Sequence, residues 1–231
     1  MNSTAKILNS SFCVLRSAFI FSLLLIALPT AAQATRLAAG SGSAVVLDGS
    51  SNVKDWQCRG TSVDALMVVP TSPSHLNAVI DRIEDGNIGV WMSNPSAARF
   101  DPPDFRLRVP VSTFKCGNRV MESDMRRALK AEANPHVEFA FRGMKGGIRH
   151  DVDTGLYHAD ITGDLSLAGV KRTITLTLAA QRLSPTRFRF RAVLPLRMTD
   201  FGVTPPTALF GAVKARDELT VRFDLTLEVQ G

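Results

Sequence analysis

The sequence predicts an all-β fold of antiparallel sheet, and two observations carry that prediction. Apolar and polar residues alternate with a period of two along six segments, and short turn-forming runs separate several of them. A pleated strand sends successive side chains to opposite faces, so this rhythm marks a sheet with one dry face and one wet face. Parallel sheets are covered on both faces and read as continuous apolar runs instead.

The alternation is strongest near the C-terminus, where Leu219, Val221, Phe223, Leu225, Leu227 and Val229 interleave with Thr220, Arg222, Asp224, Thr226 and Glu228. Phe188 and Phe190 stand opposite Arg187, Arg189 and Arg191, which places the arginines outward. Val137, Phe139 and Phe141 oppose His136, Glu138 and Arg142. Tyr157, Ala159, Ile161, Gly163, Leu165 and Leu167 oppose His158, Asp160, Thr162, Asp164 and Ser166. Two further segments, 105–111 and 173–178, repeat the pattern. Asp151 to Gly155, Ala168 to Lys171 and Ser184 to Thr186 carry the turn residues between strands. Strands that follow one another in this way must bury their dry faces together. A closed barrel and a two-sheet sandwich both do so, and the alternation fits either.

Two helices punctuate the β pattern. Met121, Met125 and Leu129 recur every four residues, which predicts a helix running to Ala131 and stopped by Asn134-Pro135. Leu76, Val79, Ile80 and Ile83 form an apolar stripe between His75 and Asp85. That stripe fits a helix started by Ser72-Pro73-Ser74, or a short strand.

Residues 1–34 read as a signal peptide. Lys6 and Arg16 precede or flank an apolar run from Ala18 to Leu28, Pro29 ends it, and Ala32-Gln33-Ala34 supplies the small residues of a cleavage site. The run is shorter than the ~20 residues a membrane-spanning helix needs. Cys13 precedes it, so Cys13 is not a lipoprotein acceptor. Cleavage after Ala34 leaves Thr35–Gly231 as one periplasmic or secreted domain. Loss of Lys6 and Arg16 lowers the net charge from +6 to +4. The remaining charges are dispersed, which argues against nucleic acid and allows at most a weak contact with anionic membrane surfaces.

Cys58 and Cys116 survive cleavage, and an even count in an exported chain points to a disulfide. The four histidines are scattered without ligand spacing, so no metal site is expected. Nothing resembles a nucleophile elbow, a His-Glu-x-x-His helix or a phosphate loop, and neither a cofactor nor catalysis is expected. Asp151-x-Asp153-x-Gly155 begins like a calcium loop, but Thr162 stands where the twelfth-position carboxylate belongs.

The inward set comprises Phe139, Phe141, Tyr157, Ile161, Phe188, Phe190 and Phe223 with aliphatic neighbours. These residues either fill a core or line a ligand cavity, since a barrel of about eight strands can just hold one small apolar guest. Met121, Met125 and Leu129 either cover that interior or pack into it; methionine adapts its shape to irregular surroundings.

Several phrases together resemble one family. Asn52-Val53-Lys54-Asp55-Trp56-Gln57-Cys58 is similar to an opening strand in a branch of the polyisoprenoid-binding, YceI-like proteins. Val109-Pro110-Val111, then Phe114-Lys115-Cys116-Gly117-Asn118 and Met121 to Lys130, resemble that branch's central strand and helix. Pro135 to Phe139 matches its re-entry to the sheet. Leu165 to Val170 resembles its hairpin, with Ala168-Gly169 where His-Gly is commoner. The most specific phrase is Met198 to Gly211. The resemblance covers about residues 43–69 and 105–229, and residues 70–104 depart from it as an enlargement containing Trp91 and Pro102-Pro103.

The resemblance implies an antiparallel lipocalin-like barrel of about eight strands with one or two short helices. It implies that an isoprenoid-like, lipid or other amphiphilic molecule is held non-covalently in an elongated apolar cavity, and that Cys58 and Cys116 are a branch-specific pair. Within the Met198–Gly211 phrase, Pro205-Pro206 holds the chain extended. Phe201, Leu209 and Phe210 are expected to fold back and plug or line the mouth, with Asp200 bracing the loop by accepting backbone N–H groups.

Overall fold

The alternating segments form one antiparallel sheet that closes on itself as an eight-stave barrel with two short helices. This computed structural model describes residues 34–84 and 103–231. The expected signal peptide and most of the 70–104 enlargement, Trp91 included, lie outside them, as does the side chain of Leu209. The chain divides into two units, Met1–Ala31 and Ala32–Gly231, and the barrel belongs to the second.

Strands β1 (Thr35–Ala39) and β2 (Ala44–Ser51), β3 (Asp55–Gly60) and β4 (Asp64–Val69), and β5 (Asp104–Pro110) and β6 (Phe114–Lys115) act in pairs as three interrupted staves. The pairings β1–β4 and β2–β3, then β4–β5 and β3–β6, keep each broken stave beside the next. Strands β7 (His136–Asp151), β8 (Leu156–Leu167), β9 (Val170–Ser184), β10 (Arg187–Arg197) and β12 (Val213–Val229) continue the meander, each against its predecessor. A two-residue strand, β11 (Thr207–Ala208), adds to β12. The ring closes where Leu37 of β1 faces Val229 of β12 and Leu47 of β2 faces Val221. Closure removes the sheet edges that would otherwise invite pairing with other chains.

Inward residues of the alternating runs form the core. Leu37, Val45, Val109, Phe114 and Leu227 are all but inaccessible to solvent. Gly163 shows how tightly the wall can pack: the Phe139 ring occupies the place where a Cβ on Gly163 would sit, 2.2 Å from the ring carbon. At the β8–β9 hairpin, Ala168 (φ 52°) and Gly169 (φ 85°) are both left-handed, as a tight two-residue turn between twisted strands requires.

The outer face is laced with ion pairs. Arg187 bonds Glu228 at 3.1 Å and Arg189 bonds Asp224 through two contacts at 2.6 and 2.7 Å, so the arginines of β10 face outward as their spacing predicts. Exposed pairs of this kind contribute about 0–1 kcal/mol each. Asp164 differs in being buried beneath Arg142 (2.5 Å) and the Thr173 hydroxyl (2.9 Å). The Arg142 hydrogen bond is the main cause that holds its carboxyl down at about 2, against an ordinary 3.8. A depressed carboxylate stabilises the fold above its unfolded pKa and loses that contribution as pH falls through the folded value. Acid unfolding of Asp164→Asn is therefore expected to show a flatter stability slope than the parent between pH 3.8 and about 2, read by circular dichroism.

Helix α1 (Pro73–Glu84) settles the second apolar stripe as a helix. Arg182 of β9 holds it by bonding Asn77, Asp81 and Glu84. Helix α2 (Arg119–Ala128) begins at Asn118, whose side chain accepts the Met121 N–H at 2.8 Å. It stops before Ala131, the expected end, because Lys130 turns left-handed at φ 51°. The Cys58–Cys116 disulfide is formed and ties β3 to the segment leading into α2.

Candidate ligand-binding chambers

The lumen is neither a single hollow nor a solid core. A chamber of about 380 Å³ occupies the α1 end, lined by Met67, Leu76, Phe105, Phe141, Tyr157, Ala159, Ile161, Leu178 and Phe190 among others. A second, of about 480 Å³, lies under α2 and is lined by Trp56, Met121, Met125, Leu129, Met198, Val203 and Leu219 among others. Between them is a waist with an interstice of about 50 Å³. Phe139, Phe223 and Leu107 belong to both the waist and the α1-end chamber. Leu47, Leu129, Leu167 and Leu219 belong to both the waist and the α2-end chamber. Each chamber falls within the range of small-molecule sites.

The two differ in chemistry. Among the described residues, every side chain lining the α1-end chamber is apolar except Tyr157. The α2-end chamber has an apolar floor and a rim that includes Ser51, Lys54, Asn118 and Asp124. One end therefore offers only hydrocarbon-like surroundings, and the other suits a molecule with a greasy body and a polar tip.

Tyr157 is the polar exception. Its ring stacks on His150 with centroids 4.5 Å apart, and its hydroxyl is buried with no hydrogen-bond partner among the described residues. Burial first, then the charge of Glu84 and its reach toward the hydroxyl, opposed by Arg182, push the phenol up to about 12, although Glu84 makes no hydrogen bond of ordinary geometry with it. It stays neutral, so its cost is an unsatisfied buried donor. Tyr157→Phe is expected to raise stability by about 1 kcal/mol in denaturant unfolding; a loss would mean that the hydroxyl has a partner.

The residues singled out in the sequence divide between these spaces. Met121, Met125 and Leu129 reach the α2-end chamber. Phe139, Phe141, Tyr157, Ile161, Phe190 and Phe223 reach the α1-end chamber. Phe188 lines a side pocket of about 170 Å³ with Tyr157, Phe190, Leu76 and Ile80.

The mouth loop divides: Phe201 folds back as expected, though into the core rather than onto a chamber wall, and Phe210 does not. Phe201 is buried and lines neither chamber; it belongs to the core, held by the short helical turn Met198–Phe201. Phe210 is fully exposed, on left-handed backbone at φ 55°. The brace is also a different residue. Asp217 of β12 accepts the Thr199 N–H (2.8 Å), the Thr199 hydroxyl (2.7 Å) and Arg197 (3.0 Å), while Asp200 contributes its backbone carbonyl to Arg172. Those Thr199 bonds are the first cause of a lowered Asp217 pKa.

Several lining residues went unread in the sequence. Met144 and Ile148 lie beyond a bulge between Phe141 and Gly143, which inserts one residue and flips the inward parity of β7. Met67 sits in an apolar run without alternation. Trp56 was legible, since Asp55-Trp56-Gln57-Cys58-Arg59 alternates and Trp56 shares the inward side with Cys58.

A family model of the YceI-like domain matches residues 51–227. The chain belongs to the YceI-like family. A search of curated protein sequences finds no match. Among solved structures, this YceI-like chain is similar to a polyisoprenoid-binding domain from Saccharophagus degradans implicated in plant cell wall breakdown, with a TM-score of 0.55 and 13% identity over 86% of this chain and 100% of that one. It is also similar to BcnA from Burkholderia cenocepacia, with a TM-score of 0.53 and 14% identity over 80% of this chain and 94% of that one. At such identities the likeness is one of fold.

Proposed function

We propose that this YceI-like chain is an exported binding protein that holds an apolar or amphiphilic molecule, isoprenoid-like or lipid, inside its barrel, and that it is not an enzyme. The observation that carries the reading is the pair of apolar chambers, which a barrel packed solid by its own phenylalanines would lack. Affinity comes from apolar area taken out of water, at about 25 cal/mol per Å² before the costs of ordering. The α2-end chamber favours an amphiphile lying tail to the leucine floor, with its polar end beside Lys54 and Asn118. Among the described residues, the α1-end chamber presents no set of converging polar side chains to exchange protons with a substrate. The binding activity of the Saccharophagus degradans domain points the same way, as does the leader-like composition of residues 1–34.

Native mass spectrometry of protein purified from its own host, followed by solvent extraction, tests this. The expected result is a stoichiometric extra mass that extraction releases as a lipid or isoprenoid. Bare protein that also fails to take up an added long-chain isoprenoid alcohol would sink the proposal. The same spectrum reads the N-terminus, which is expected at Thr35.

A further inference from the structure

We propose that the rim of the α2-end chamber is a docking surface for an anionic lipid membrane. Three separate segments meet around that mouth, and each carries an exposed apolar side chain with a cation beside or near it in sequence: Val53 with Lys54, Val120 with Arg119, and Phe210 with Lys214. Val53 and Val120 are 66% and 69% exposed and both border the chamber. Phe210 stands out fully between Thr207 and Val213, which border it too.

Two of the segments form one rigid piece. The Asn52 amide donates to the Ala212 carbonyl at 2.9 Å, and its oxygen accepts the Lys214 N–H at 2.7 Å. The third segment, the first turn of α2, stands on the same mouth through Val120 and Met121. A rigid collar of protruding apolar groups is what a headgroup–acyl boundary accepts, and exposed apolar groups clustered on one rim are uncommon without a partner.

Charge selects the partner. Lys54, Arg119 and Lys214 make no ion pair among the described residues. The acids of α2 are already engaged, Glu122 with Lys115 and Asp124 with Arg127. Asp55 is the acidic neighbour of Lys54, and the three cations outnumber it. A cation close to an anionic bilayer strengthens binding about fivefold, so three give on the order of 100-fold over a zwitterionic one. Docked there, the chamber would open onto the membrane, although the surface stands independently of what fills the barrel.

The test is sedimentation of host-matured protein with vesicles of phosphatidylcholine alone or mixed with phosphatidylglycerol, with hydrogen exchange read on the bound state. Binding is expected to favour the mixed vesicles on the order of 100-fold and to collapse in ~1 M salt, where charges are screened beyond about 3 Å. Exchange protection is expected at residues 52–54, 119–121 and 210–214. The combined variant Phe210→Ser, Arg119→Glu, Lys214→Glu is expected to lose vesicle binding with an unchanged melting curve. A charge-matched control, Arg106→Glu with Lys145→Glu, is expected to keep it. Equal binding to both vesicles, protection elsewhere, or loss in the control overturns the proposal. So does a dimer in light scattering that protects the same three segments without lipid. Vesicle binding by protein that neither carries nor takes up a ligand keeps the docking surface and removes the carrier reading; ligand-loaded protein that ignores vesicles does the reverse.

Discussion

Ala159→Phe is expected to abolish most ligand binding in the α1-end chamber without destabilising the barrel. Ala159 points inward from β8 and lines that chamber with Leu178 facing it on β9. A benzyl group there has room to enter, so the usual strain of enlarging a core side chain does not arise, and the added contacts favour the fold. The ring removes about 60 Å² of wall from the ligand, which at about 25 cal/mol per Å² is roughly 1.5 kcal/mol, or about tenfold in affinity. Fluorescence titration with an isoprenoid probe, beside a thermal melt, reads both effects. Val193→Phe is the control, since Val193 lies on the outer face of β10 and is 60% exposed. Undiminished binding by Ala159→Phe would place the ligand in the α2-end chamber, where Ala128→Phe applies the same test from α2.

Loss of the disulfide is expected to have the largest effect on stability. The bond closes a loop of sequence separation 58. The chain-entropy account gives about 4 kcal/mol for a loop of that length, a large share of the 5–15 kcal/mol that holds an ordinary domain together. The double variant Cys58→Ala, Cys116→Ala is therefore expected to unfold at a lower denaturant midpoint by roughly that amount. It should also loosen α2, because Cys116 stands just before that helix and its sulfur lies 3.8 Å from the Met125 sulfur. Faster hydrogen exchange in Arg119–Ala128 than in β8 would mark the local part of the effect. A double variant as stable as the parent would show that β3 and α2 are held by packing alone.

Much of the architecture is legible residue by residue. The alternation places the inward side chains of β8, of 187–191 in β10 and of 219–229 in β12, and Ala168-Gly169 announces the β8–β9 hairpin. The reading of β7 holds through Phe141, where it stops; beyond that point a single extra residue reverses which side chains face in. The mouth loop misleads for a related reason. Phe201 and Phe210 are the same residue type in one phrase, yet one is core and the other bare. Asp217, which braces that loop, comes from a strand after it, and no local pattern links them.

By itself the sequence determined the sheet, its wet and dry faces, the helix carrying Met121 and Met125, and the pairing partners in the disulfide, because each follows from the geometry of neighbouring residues or from a count; the second apolar stripe stayed open between helix and strand until the structure settled it. Only the tertiary structure decided that the barrel closes through β1 and β12, and that its lumen is pinched into two chambers by Phe139, Phe223 and the leucines between them. The physical reason is range. Strand periodicity is a property of a few consecutive peptides, whereas a cavity is the space left over when side chains from every stave meet, and its size depends on all of them together.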